Sequence, residues 1–438
     1  MPMTNNAAKV AILGFGTIGS GVAKLLLEQP ERIARQAGRR IELVRIVDLD
    51  LKRPRNVTPP PGMLTDDLTK VLADPEIKAV VQLIGGLEPD RTIMLRVLES
   101  GKDVITANKA LLAEHGPELF DRARQLGRSI AFEAAVAGGI PIIAALGESL
   151  MANQIESIHG ILNGTSNFIL SQMEEADTDY ATALAEAQQR GYAEANPAMD
   201  VNGSDAAQKL AILAHLAFGA RLNWRAIPRL GIDIVDVADI RYARELGYSI
   251  KLLAVAELVP EGLELHVSPT LVRHGTPLAE VRQAYNAVRV VGDAVGRVFF
   301  HGLGAGQMPT ASAVVADLIN TVTGRTAITF RRLNLWSMER EPTVRPRDPA
   351  RVPGRFYLRF NVDDRPGVMA EIASILGAHN ISIASVIQHE TEEEDASNLV
   401  PLVIMTHTSP EGAMADAMKM LGQLACVHPG SVRMRVRD

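Results

Sequence analysis

The chain is short of cysteine, of aromatic residues and of unbroken apolar runs. One thiol, Cys426, among 438 residues excludes an intrachain disulfide and a thiolate metal cage. So little cysteine fits a reducing compartment, and the cytoplasm is the expected location. The opening MPMTNNAAKV lacks a charged stretch followed by an apolar core, so no signal peptide is expected. The most apolar run, IAFEAAVAGGIPIIAALG, is interrupted by Glu133, Pro141 and several glycines. A membrane span needs about 20 apolar residues, so none is expected. There is no basic block either. The 45 Lys and Arg and 51 Asp and Glu are interspersed, for a formal net charge of −6. With aromatics at 4%, no basic-aromatic patch suggests nucleic acid. His159, His215, His266, His274 and His301 are scattered, with no pair at ligand spacing, which argues against zinc or iron.

What is present is apolar bulk, 47% of residues. At about 150 residues per domain the chain has room for roughly three domains, each with a core. Lys9 to Leu13 reads as a buried strand, and Gly14-Phe15-Gly16-Thr17-Ile18-Gly19 follows, then the helical pattern SGVAKLLLEQ. In this strand–turn–helix context G-x-G-x-x-G points to a dinucleotide. The glycines allow a tight turn, approach to a pyrophosphate and close packing, and the helix N-terminus faces the phosphates. A second strand, IELVRIV, ends at Asp48, placed to bond a ribose diol. Lys52, Arg53 and Arg55 could instead receive a 2′-phosphate, so NAD and NADP both stay open. ERIARQAGRR looks like an insertion or an extended helix. Leu64 to Ala73 reads as helical. AVVQLIG and DVITA read as strands, with PDRTIMLRVLESG a helix between them. This alternation argues for a parallel, doubly wound sheet. Gly85, Gly86, Asn108 and Lys109 fall at the carboxyl ends of its strands, where ligands bind. Gly306, in a second glycine-rich loop before PTASAVVADLINTVTG, suits another close approach to a cofactor.

The middle of the chain carries the chemistry. GYAEANPAMDVNGSDAAQK holds Glu194, Asp200, Asp205 and Lys209. Ser204 or Asp205 is placed to cap the helix that follows. Asp205 and Lys209 are four apart, hence on one helix face. A solvated ion pair would be the plainer explanation. The apolar helix, and the crowding of Glu194 and Asp200 at its entry, favour a lysine that donates a proton or clamps a substrate. The loop ILNGTSN is dense in hydrogen-bonding groups. Glu133 is either satisfied by local amides or one ligand, with carbonyls around Val136 to Ile140, of a hard-cation site. AYNAVRVVGDAVGRVFFHGLGAG reads as a helix mixed with hairpin-like alternation.

These motifs, GFGTIG, LIGG, VITANK, ILNGTSN, GYAEANPAMDVNGSDAAQK, DIRYARELGYSIKLLA and GLGAGQMPTASAVVADL, resemble the homoserine dehydrogenase family in the same order, over about residues 9 to 340. The resemblance implies reversible oxidation of L-homoserine to L-aspartate 4-semialdehyde with NAD or NADP. It makes Lys209 the proton donor, Asp205 its partner and a substrate contact, and Glu194 the ligand of the substrate amino group, with Asp200 nearby. Lys109 becomes a catalytic neighbour of substrate and cofactor. Gly14, Phe15, Gly16, Thr17, Ile18, Gly19, Asp48, Gly85, Lys109 and Gly306 become the cofactor set. Glu133, Val136, Gly138 and Ile140 match positions that bind a structural sodium ion. The family often has a second acid just before Asp200, where this chain has Met199, which puts one substrate contact in doubt. A homodimer through the middle domain is implied.

Pro342, Pro346, Pro349 and Pro353 stiffen a run that reads as a linker. Beyond it the pattern is βαββαβ, with TEEEDASN a charged loop, a ferredoxin-like unit that resembles an ACT domain. Asp364 and Gly367 of DRPG, with Asn380 and Ile381 of HNI, sit where that family binds a small amino acid. The resemblance implies inhibition by L-threonine; a purely structural dimerisation module is the alternative. Tails that pair dimers would give a tetramer.

The expected architecture is α/β. A Rossmann-type domain spans 1–132, completed by a returning helix near 307–325. An α+β substrate and dimerisation domain with a mixed sheet spans 133–306, a linker 341–354 and the ACT domain 355–438. Removing residues from about 350 onward is expected to leave activity and abolish inhibition. Two rivals remain. One is a cysteine-dependent semialdehyde dehydrogenase, disfavoured because Cys426 lies in the tail. The other is an inactive amino-acid sensor on a cofactor-binding fold, disfavoured by intact Lys209, Asp205 and Glu194.

Overall fold

The computed structural model describes residues 4–333, 337, 341–389 and 399–438. TEEEDASN, at 391–398, lies outside the described residues. The chain forms two compact units, one of residues 1–158, 208–226 and 286–345, the other of 159–207, 227–285 and 346–438.

In the first unit six strands make one sheet, in the order Leu64–Thr65, Arg39–Val47, Thr4–Leu13, Ile77–Gln82, Asp103–Thr106, Ile130–Ala131. Every neighbouring pair is parallel. The order reverses between Thr4–Leu13 and Ile77–Gln82, and such a switch point leaves a crevice at the carboxyl ends of those two strands. Val10 and Ile12 are fully buried, as parallel strands covered on both faces should be. One layer of that cover comes from far along the chain. Ala311, Val314, Val315 and Leu318 of the helix Gln307–Val322 share a core with Val10, Ile12 and Val22.

Three local readings change. ERIARQAGRR is a separate helix, Pro30–Ala37, stopped by Gly38 in the left-handed conformation. Leu64 to Ala73 is not one helix. Leu64–Thr65 is drawn into the sheet, and only Thr69–Leu72 coils. The segment after Tyr285 contains no helix. It is two strands, Tyr285–Gly292 and Gly296–Leu303, and the outer one alternates strictly between half-buried and exposed. The alternation won over the helical spacing because only one face of that strand is covered.

In the second unit Tyr248–Val259 and Gly262–Arg273 form a long antiparallel pair. The tail continues this sheet. Its last strand, Val427–Arg437, runs parallel to Gly262–Arg273, with Arg435 opposite Thr270 and Arg437 opposite Val272. Pro353–Asp363, Leu399–Thr406 and Ile383–Ile387 follow in antiparallel order. With the helices Val368–Ala378 and Glu411–Leu421 this is βαββαβ, closed over a core that includes Phe360, Ile372, Met414 and Leu421. The proline-rich segment lies along the same sheet, where Arg347 N donates to Leu263 O at 2.9 Å.

Candidate active site

The glycine loop takes its shape from main-chain crowding. Gly14 has φ +94, and a Cβ there would lie 2.6 Å from Leu83 O. A Cβ on Gly19 would lie 2.0 Å from Gly14 O, so only glycine lets the helix start this close to the strand. At Gly16 a Cβ would meet nothing within 4 Å, so this side of the loop is open. Thr17 opens the helix Thr17–Glu28, and Ile18 packs on the core. Beside the loop is a cavity of about 400 Å³ lined by Gly14, Gly16, Asp48, Leu49, Leu83 and Ile84, among others.

Asp48 is tied to the loop. Its Oδ2 accepts from Phe15 N at 2.5 Å, and its Oδ1 from Asp50 N at 2.8 Å. Arg55 is committed as well: it donates to the carbonyls of Phe15, Arg53 and Asp50 and lies 4.6 Å over the Phe15 ring. Lys52 and Arg53 remain exposed beside it. Gln307 joins the two glycine loops. Its Nε2 donates to Thr17 O and to Ser20 Oγ, both at 3.0 Å, directly after Gly306 at φ +115. Sequence reasoning passed over Gln307, since nothing in its neighbourhood signals a partner near residue 17. Gly85 lies exposed at φ +90. Lys109 begins the helix Lys109–Gln125, whose cap is Asn108. Asn108 Nδ2 donates to Gly86 O and to Asp90 Oδ2, both at 2.6 Å. Burial pushes the Asp90 carboxyl up, against bonds from Gln82 and Asn108 that favour its charged form.

The acid stretch folds around an asparagine. Asn163 Nδ2 lies 2.8 Å from Asp200 Oδ1 and 2.8 Å from Asp205 Oδ2, while its Oδ1 accepts from Ser166 N and caps the helix Gly164–Ala176. Ser166 Oγ in turn donates to Asp200 O at 2.9 Å. Asn163 thus orders two carboxylates, a role its loop hinted at only by its density of polar groups. The helix Ser204–Phe218 is entered through Asn202, whose Oδ1 accepts from Ser204 N at 2.9 Å. The cap is therefore not Ser204 or Asp205, both of which already lie inside the helix. Asp205 is 3% exposed and Lys209, one turn on, 9%, so they are no solvated surface pair. Glu194 is exposed, on a segment held where Thr165 Oγ1 donates to Tyr192 O at 2.6 Å.

The Glu133 carboxylate meets local amides. Oε1 accepts from Ile143 N at 2.9 Å and Oε2 from Ala144 N at 2.8 Å. Burial lifts its carboxyl to about 7 in spite of those amides. Each oxygen takes one amide at this helix start and keeps further acceptor capacity. Among the described residues no cluster of three or more His, Cys, Asp or Glu could hold a metal ion.

In the tail, Gly367 precedes and Asn380 follows the 11-residue helix Val368–Ala378. That separates Asp364 and Gly367 from Asn380 and Ile381 by about 16 Å. Cys426 is fully buried in the tail core, where burial raises its thiol pKa, so it is no nucleophile.

A family model for homoserine dehydrogenase matches residues 141–319, one for the NAD-binding domain of homoserine dehydrogenase matches 14–133, and one for the ACT domain matches 356–422. The homoserine dehydrogenase of Pseudomonas aeruginosa is 45% identical over 437 residues, spanning 98% of this chain and 99% of its own. The chain belongs to the homoserine dehydrogenase family. The solved homoserine dehydrogenase of Thiobacillus denitrificans superposes with a TM-score of 0.90 at 41% identity, covering 99% of this chain and 98% of its own. A mutant homoserine dehydrogenase from a hyperthermophilic archaeon, solved with NADPH, gives 0.60 at 26% identity and covers 72% of this chain and 98% of its own. Membership of this family, together with the NAD-binding domain, makes the chain an NAD(P)-dependent homoserine dehydrogenase, an oxidoreductase, with a C-terminal ACT domain. No described helix is long and apolar enough to cross a membrane.

Proposed function

We propose that the chain interconverts L-homoserine and L-aspartate 4-semialdehyde, with Lys209 moving the proton. The observation that carries this reading is the buried lysine one turn beyond Asp205, whose carboxylate Asn163 holds beside that of Asp200. The bound dinucleotide supplies or accepts the hydride. Lys209, as an ammonium, gives its proton to the nascent alkoxide and steadies the charge there. Asp205 and Asp200 orient the lysine and the substrate, Glu194 receives the substrate amino group, and Lys109 contacts substrate and cofactor. In the oxidising direction Lys209 must be neutral to take the proton, so homoserine oxidation rises toward alkaline pH. The cofactor set is Gly14, Phe15, Gly16, Thr17, Ile18, Gly19, Asp48, Gly85, Lys109 and Gly306. Asp48 favours the diol of NAD, and Lys52 and Arg53 favour the phosphate of NADP; both cofactors are proposed.

The domain division at 132, 306 and 354 is kept as part of this reading. Sodium is proposed at Glu133, Val136, Gly138 and Ile140, through the Glu133 carboxylate and main-chain carbonyls, an oxygen set that suits a hard ion. L-Threonine is the proposed inhibitor, bound by Asp364, Gly367, Asn380 and Ile381. Because those residues lie at two ends of one helix, a homodimer or tetramer in which a second copy supplies one half is part of the proposal. Action on amino-acid precursors in the cytoplasm follows.

Absorbance of the reduced nicotinamide with purified protein, homoserine and either NAD or NADP tests the reading. A homoserine-dependent rise is expected. No rise with either cofactor, over neutral to alkaline pH, favours the sensor reading instead.

A further inference from the structure

Between the strand Gly262–Arg273, the segment before Gly231 and the tail lies a second cavity, of about 150 Å³. That is space for roughly five waters or one small organic molecule. Its walls carry Arg229, Arg433 and Arg435 against a single acid, Glu411. The acid is shared. Its Oε1 is 2.6 Å from Arg433 Nη1, and its Oε2 accepts from Arg435 Nη2. Arg433 Nη1 is close but not aligned, and it makes no hydrogen bond among the described residues. His266 is 4% exposed, and its Nδ1 is 3.1 Å from Ser268 Oγ. Its Nε2 has no hydrogen-bond partner among the described residues. Burial holds His266 well below its ordinary pKa, so the ring is neutral. Buried polar atoms are nearly always satisfied. His266 Nε2 is such an atom on the wall of this cavity, beside arginines that share one acid, and it marks a place for a ligand.

The wall of this cavity is also one hydrogen bond from the acid loop. Leu230 N donates to Val267 O at 2.9 Å, and two residues on Ile232 N donates to Val201 O at 2.8 Å. A Cβ on Gly231 would lie 2.6 Å from Val201 O, and one on Gly203 3.1 Å from Val267 Cγ1. There is no slack between the cavity wall and the turn that leads into Asp205 and Lys209.

We propose that this cavity binds a small carboxylate of amino-acid size, with the carboxylate on Arg433 and a hydroxyl or amine on His266, and that its occupation shifts the Asp200–Gly203 loop. The site is separate from the effector residues proposed above, and it rests on homoserine oxidation only for its kinetic readout. The test uses the full chain and two probes, L-threonine and propionate, titrated by calorimetry. Arg433→Met removes the donor, Ser268→Leu fills the space, and Asn380→Ala disables the other proposed site. At least one probe is expected to bind saturably to Asn380→Ala, in which the other proposed site is disabled, and at least tenfold more weakly when either cavity substitution is added to Asn380→Ala. Saturating probe is expected to change the KM for homoserine in Asn380→Ala and not in those double variants. Three outcomes overturn the proposal: no saturable binding by either probe, meaning the cavity holds water only; binding to Asn380→Ala that survives both added cavity substitutions; or binding that is abolished by Asn380→Ala alone. Melting curves report folding, and Ser268→Leu decides the matter should Arg433→Met fail to fold. Calorimetry is readable even if homoserine is not oxidised, so failure of the functional reading is distinguished.

Discussion

The two units bury ionisable groups by opposite means. In the first, Glu133 rests on the amides of Ile143 and Ala144, and Asp90 on the side chains of Gln82 and Asn108, and burial raises both carboxyls. In the second, the acids that face the tail meet cations. Asp239, fully buried, accepts from Arg359 Nε at 2.6 Å and Nη2 at 3.0 Å and from Tyr357 Oη at 2.9 Å. Burial would raise Glu257, but His159 and Arg437 hold its carboxyl well below the ordinary range. The lesson concerns the tail. Its arginines neutralise acids on Val237–Glu245 and Tyr248–Val259, so it is packed into the second unit by ion pairs as well as by its sheet. Deleting residues from about 350 onward would leave Asp239 and Glu257 without these cations. Loss of activity in such a truncation would report damage to the joint, and point substitutions are the cleaner probe.

The contrast is broken or sharpened most by Arg359→Met. Stranding the buried Asp239 carboxylate is expected to lower the unfolding free energy by about 3–5 kcal/mol. Asp239→Leu combined with Arg359→Met should recover most of that, because two apolar side chains need no partner. Denaturant titration of both variants checks it, and equal losses would mean that the pairing itself is unimportant.

Next in size is acid lability in the first unit. His215, at the end of the helix that carries Lys209, is lowered by burial to about 4, although its bond to Ala220 O opposes the shift. Its folded pKa lies below the unfolded 6.5, so its stabilising share is full above pH 6.5 and is lost as pH falls toward 4. The loss is roughly 3 kcal/mol. His215→Asn should flatten that part of the stability profile, and an unchanged slope would clear His215 of the effect.

Smaller effects follow in the cradle. Gly19→Ala places a methyl against Gly14 O and is expected to cost about 1–3 kcal/mol and to weaken cofactor binding, measured by fluorescence of the reduced nicotinamide. Gln307→Ala removes the tie to Thr17 and Ser20 and is expected to cost about 1 kcal/mol.

The cradle was readable before the structure because its parts are local. Three glycines within six residues, between a strand and a helix, state their own geometry. The parallel sheet and the tail topology followed from alternation of elements in the same way. The joint was not readable, because its partners are remote: Arg359 is 120 residues from Asp239, and Arg437 is 180 from Glu257. No periodicity reports such pairs. Asn163 lies between these cases. Its loop stood out, yet its reach of 37 residues to Asp200 and 42 to Asp205 depended on the fold. The helix expected over Leu64 to Ala73 failed because the sheet edge offered Leu64 and Thr65 a ladder that local spacing does not reveal.

The central claim is that Lys209 carries the proton. Homoserine oxidation by Lys209→Ala, measured across neutral to alkaline pH with cofactor binding monitored alongside, tests it most directly. The account predicts a fall in kcat of about 10²–10⁴-fold with cofactor affinity retained, and loss of the alkaline rise seen in the wild type. A variant that keeps both its turnover and its alkaline rise would contradict it.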